Sequence, residues 1–145
     1  MRRLEFFGHP LHPATVHFPL GLLVGATAVD VLGWLWPAID GDAARLMLIL
    51  GLVAAAPTVA TGFLDFLAIA REPAVERTAV YLLLSVSVAL AFYGASLWLR
   101  QAAASGAIAR WTSLGGALAL LGAGWFGGQL VYRHGEGVEA TRRNL

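Results

Sequence analysis

The chain has four histidines, His9, His12, His17 and His134, and no cysteine. Three of the histidines crowd the N-terminal segment and one lies near the other end. Neutral imidazole is a ligand for haem iron and for divalent metals, and near neutral pH it exchanges protons. The absence of cysteine excludes a thiol nucleophile, a disulfide framework and an iron–sulfur cluster held by this chain alone. With methionine limited to Met1 and Met47, a soft copper site is also disfavoured. The spacing His9-xx-His12-xxxx-His17 does not fit a standard zinc pattern. Asp65 adds an acid inside an apolar stretch, where an ionisable side chain is costly and usually has a purpose. No nucleophile–base constellation stands out, so the sequence commits to no reaction.

These residues must be positioned by membrane-spanning helices. Of 145 residues, 58% are hydrophobic and 13% charged, against about a quarter charged in soluble domains, and mean hydropathy is +0.69. Four stretches reach the roughly 20 apolar residues a membrane helix needs. They run over about 14–36, 46–70, 79–99 and 111–132, and together predict a single all-α domain over 1–145, an antiparallel four-helix transmembrane bundle. Pro37 to Asp42, Arg71-Glu72-Pro73 and Gln101 to Gly106 are short breaks, so consecutive helices should be antiparallel neighbours. Pro73 is placed to open the third helix. No segment alternates with the period of a strand. A cleavable leader is not expected, because His9, Pro10, His12, Pro13, His17 and Pro19 interrupt its apolar core.

An even number of spans brings both termini to one side. That side carries Arg2, Arg3, Arg71, Arg77, Arg133, Arg142 and Arg143, and the other carries Arg45, Arg100 and Arg110. The excess predicts cytoplasmic termini and a place in the inner (cell) membrane. Trp34, Trp36, Trp98 and Trp111 fall near the opposite face, as an aromatic belt would. Net charge is +1, so nothing recruits nucleic acid.

The same topology gathers all four histidines, and Asp65 late in span two, at the terminal edge of the membrane. Helical phase puts Gly21, Val24, Gly25 and Ala28 on the His17 side of span one, and Gly116 and Gly127 on the His134 side of span four. Small residues allow close helix contact and also leave room for a flat cofactor. One reading is b-type haem with His17 and His134 as axial ligands, His12 in reserve, and His9, Asp65 and Arg133 tuning or relaying protons. A second is a non-haem metal on His9, His12, His17 and His134. A third is proton, ion or small-solute transport through Asp65 and the histidines. The structural alternative has histidines capping helix ends, Asp65 paired with Arg77 or Arg133, and the chain acting as a cofactor-free subunit. Asp30, toward the opposite end, invites the structural reading more strongly. Pro57 should kink span two, with Thr58 and Thr61 satisfying nearby backbone groups. Gly122 to Gly128 lacks the Lys-Ser/Thr of a phosphate loop.

Three segments carry a resemblance. Gly8-His9-Pro10-Leu11-His12-Pro13-Ala14-Thr15-Val16-His17-Phe18-Pro19, Thr61-Gly62-Phe63-Leu64-Asp65 and Gly127-Gly128-Gln129-Leu130-Val131-Tyr132-Arg133-His134-Gly135 resemble the opening, middle and closing signatures of a bacterial membrane family, domain of unknown function 2231. The resemblance implies a four-helix membrane protein. Some members of that family are joined to a Rieske-type iron–sulfur domain, which implies a redox setting. Here the electron partner would be a separate protein, such as an iron–sulfur protein, with membrane lipid as the solvent.

Overall fold

A computed structural model describes the backbone of residues 5–6, 9–68, 72–102 and 106–135, and the side chains of 15–67, 72–102 and 106–135. Four helices dominate: α1 (Leu11–Leu35), α2 (Gly41–Ala68), α3 (Pro73–Gln101) and α4 (Gly106–Tyr132). Ahead of α1, β1 (Glu5–Phe6) pairs antiparallel with β2 (His9–Pro10) over two residues. All four helices are long and apolar enough to cross a membrane. Each runs past the apolar stretch read from sequence at one or both ends, by as much as six residues at the start of α3, because polar residues continue a helix beyond the hydrocarbon layer. Pro73 occupies the first turn of α3, where its missing N–H costs nothing.

Side-chain size is distributed in the manner of a membrane bundle. Large apolar groups such as Val53, Leu84, Leu118 and Leu121 are exposed, while the interior is built from Ala26, Ala44, Ala89, Ala109, Ser96 and Ser113. A lipid-facing surface has no apolar area to hide, and small interior residues let helices approach. The closest packing joins α1 to α2 and α3 to α4, with lighter contact between α2 and α3 and between α1 and α4. Glycines carry part of that packing. A Cβ on Gly51 would lie 2.8 Å from Leu23, one on Gly115 2.9 Å from Phe92, and one on Gly116 2.8 Å from Tyr93. The main core joins Leu23, Ala26, Ala44, Leu48 and Tyr93, and a smaller cluster of Val75, Ala79 and Leu130 receives Phe66 near the terminal edge. In α2, Thr58 reaches the Ala54 carbonyl, and Thr61 reaches those of Pro57 and Thr58, so both hydroxyls serve the backbone around Pro57.

Candidate functional site

At the terminal edge, α4 ends in a turn that sets His134. The N–H groups of Arg133 and His134 both bond the Gln129 carbonyl, and Gly135 bonds that of Val131. Gly135 has φ 68°, the left-handed conformation that closes many helices and strains a residue with a Cβ. The half-buried His134 ring is thereby brought to α3, where Nε2 lies 3.4 Å from Thr78 Oγ1. Thr78 donates its one proton to the Ala74 carbonyl at 2.9 Å. His134 must then donate from Nε2, which leaves Nδ1 as the free acceptor. Gly127 is half-buried on the same side of α4, with Leu82 4.0 Å from where its Cβ would be.

His17 stands differently. It lies on α1 with Gly21, Val24 and Ala28, and all four are exposed. A Cβ on Gly21 would meet nothing within 4 Å, whereas one on Gly25 would touch Met47 at 3.4 Å. The two rings share no partner among the described residues. His12 is in the first turn of α1 and the backbone of His9 pairs with Phe6, but both side chains lie outside the described residues, as does Arg71. Asp65 is half-buried and makes no hydrogen bond or ion pair with a described residue, so neither expected partner, Arg77 or Arg133, meets it. Arg77 and Arg133 are exposed. Among the described residues no three metal-ligating side chains converge.

The opposite end of the bundle holds an organised polar cluster. Asp30 of α1 is 2% exposed and its Oδ2 accepts from Arg100 Nη2 of α3 at 2.6 Å, with Arg100 11% exposed. Arg100 Nε also reaches Ser96 Oγ at 3.4 Å, and Ser96 donates to the Ala109 carbonyl of α4 at 2.7 Å. One turn deeper, Thr27 Oγ1 lies 3.1 Å from Tyr93 Oη, 3.0 Å from Ser113 Oγ, and 3.3 Å from the carbonyls of Leu23 and Ser113. The proton count closes if Tyr93 and Ser113 donate to Thr27 and Thr27 donates to a carbonyl. Asp30 Oδ1 alone has no hydrogen-bond partner there. Trp34 of α1 and Trp111 of α4 pack beside this end with ring centroids 4.9 Å apart. Sequence reasoning passed over this cluster. Its signal is the spacing Thr27–Asp30 on α1 and Tyr93–Ser96–Arg100 on α3, polar residues three or four apart on otherwise apolar helices.

What the two ends can do differs. The Asp30–Arg100 cluster ties α1, α3 and α4 together with its hydroxyl protons committed. The terminal edge keeps an exposed imidazole, a second imidazole with one free nitrogen, and a carboxylate without an ion pair. Comparison with curated proteins gives no match, and comparison with solved structures gives none either. A family model described as a predicted membrane protein (DUF2231) matches residues 8–140. With four membrane-length helices and a match over nearly its whole length, the chain belongs to the DUF2231 family of membrane proteins.

Proposed function

We propose that this membrane protein carries electrons through a b-type haem held at its terminal edge, with His17 and His134 as axial ligands and His12 in reserve. The observation that carries the reading is the uncommitted nitrogen chemistry of that edge: His134 keeps Nδ1 free while Thr78 fixes its other nitrogen, and His17 makes no hydrogen bond to a described residue. A ligating histidine is typically oriented by a hydrogen bond to its second ring nitrogen, which is the part Thr78 would play. The open space beside Gly21 would admit a flat ring, whereas Gly51, Gly115 and Gly116 are closed by Leu23, Phe92 and Tyr93. Bound haem would supply a one-electron carrier. Asp65, His9 and Arg133 would set the charge around it, and the electron partner would be a separate protein such as an iron–sulfur protein.

The test is a visible spectrum of the purified protein after expression with ample haem. The expected result is a Soret band that shifts on reduction, with His17→Ala and His134→Ala each losing the six-coordinate low-spin form. Gly127→Leu should lose haem while the bundle still inserts. A colourless wild type, or an unchanged spectrum in the His17→Ala/His134→Ala double variant, overturns the proposal. One observation favours a second reading, a proton relay. Asp65 sits half-buried in a membrane span without a hydrogen bond or ion pair to a described residue, as a proton carrier would. Colourless protein that acidifies liposomes, and ceases to do so as Asp65→Asn, would favour that reading.

A further inference from the structure

The outward side of α4 carries a groove that shares only Arg133 with the terminal edge. It is an open depression of about 500 Å³, lined by Gly124, Trp125, Gly128, Gln129, Tyr132 and Arg133 and facing away from the bundle. The lining falls into two parallel rows at four-residue spacing, Gly124–Gly128–Tyr132 and Trp125–Gln129–Arg133. They lie across the helix from its buried side, Ala109, Ser113, Gly116, Ala123 and Leu130. Both rows run from apolar, deep in the span, to polar at the terminal edge. At 1.5 Å per residue each covers about 12 Å of depth. A Cβ on Gly124 would meet nothing within 4 Å, and one on Gly128 only the ring of Tyr132 at 3.9 Å. These glycines form an open floor, with the exposed Trp125 and Tyr132 standing beside it.

Charge selects the occupant. Among the described residues Arg133 has no hydrogen-bond or ion-pair partner, and no acid lines the groove. We propose that the groove binds one anionic phospholipid, with an acyl chain along Gly124 and Gly128 and the phosphate at Arg133. A guanidinium offers paired donors to phosphate oxygens, and the Gln129 amide and Tyr132 hydroxyl add donors at the same level. A second copy of the chain fits less well. Two-fold pairing of parallel α4 helices through this face would set Arg133 against Arg133, with no acid among the described lining residues to separate them.

The test uses the full chain purified in detergent and exposed to mixed micelles of phosphatidylglycerol or phosphatidylcholine, with retained lipid counted by native mass spectrometry. Wild type should keep one phosphatidylglycerol and release phosphatidylcholine. Gly124→Leu should keep neither, with its helical circular dichroism unchanged because the added side chain meets no protein atom at its Cβ. Arg133→Gln should bind phosphatidylglycerol about fivefold more weakly and lose the preference, the loss expected for one arginine at an anionic surface. Equal retention of the two lipids by wild type, or unchanged retention by Gly124→Leu, overturns the proposal. So does a wild-type dimer that Gly124→Leu dissociates, since a second copy would then cover the face. The readout is independent of haem.

Discussion

Asp30 and Arg100 show why one acid in a membrane helix can matter more than several at its edge. Their heads meet at 2.6 Å with almost no solvent, so each is tolerable only because the other is present. Removing one partner of such a pair leaves an uncompensated charge and costs about 3–5 kcal/mol, whereas replacing both with apolar groups of similar size can be nearly neutral. Asp30→Ala and Arg100→Ala should each lower the thermal midpoint in detergent by that scale of stability. Asp30→Leu/Arg100→Met should recover most of the loss in a double-mutant cycle. Single variants as stable as wild type would mean that water already screens the pair. The apolar spacing of span one made Asp30 visible in the sequence, and its structural role agrees with the reading favoured there. Its partner was not legible, because choosing Arg100 over other arginines requires the rotation of α3 about its own axis. Asp65 failed in the complementary way. Its depth was legible, but the partners expected for it lie elsewhere, so its position alone did not define a pair.

At the scale of elements, glycine divides into two kinds that composition cannot separate. Gly116 lets Tyr93 of α3 seat against α4, with a hypothetical Cβ 2.8 Å from the ring, while Gly94 on α3 has no neighbour within 4 Å. Tyr93 is fully buried and reaches Thr27, so pushing it aside disturbs both the main core and the hydroxyl cluster. Gly116→Ala should therefore destabilise by about 1–3 kcal/mol, the cost of overpacking. Gly94→Ala should be neutral or stabilising by about 0.5–1 kcal/mol through helix propensity alone. Unfolding of the two variants in the same detergent distinguishes them, and equal effects would refute the division. The helices themselves were legible because a chain in hydrocarbon must satisfy its own backbone, which makes long apolar runs unambiguous. Their ends were less so, since α2 starts at Gly41 and α4 at Gly106, each five residues before the apolar stretch. The short connections made α1–α2 and α3–α4 legible as neighbours, but α2 and α3, joined by an equally short connection, touch only lightly, a difference that connection length does not explain. The small-residue phases read for His17 and His134 hold on the helices, but they face different surroundings. Gly21 looks onto open space and Gly127 toward Leu82, a distinction set by tertiary packing.

At the scale of the whole molecule, orientation in the membrane follows the distribution of arginine. Counted from sequence, seven arginines lie on the terminal side and three on the other. Of those three, Arg100 is buried against Asp30, so the pair presents almost no net charge to the membrane surface. Arg45 and Arg110 remain, and Asp40 and Asp42 accompany them in the same region of the chain. The orientation rule counts arginine and lysine close to the span ends and gives acids little weight. On that rule the count of seven against three stands, because pairing with an acid does not remove an arginine from it. Trp34, Trp36, Trp98 and Trp111 are exposed around the end where α1 meets α3 and α4, which marks that end as an interface without giving its side. Insertion with both termini in the cytoplasm is the expected outcome. A reporter active only in the cytoplasm should work when fused after Leu145, and one active only in the periplasm should work when inserted in the α1–α2 connection at 37–40. Arg100→Ala should leave both signals unchanged even where it lowers stability, because losing one arginine from the poorer side keeps the direction of the bias. The reverse pattern in wild type would invert the orientation and put the histidine edge, with any electron partner, on the periplasmic side. It would leave the four spans and their packing as they are.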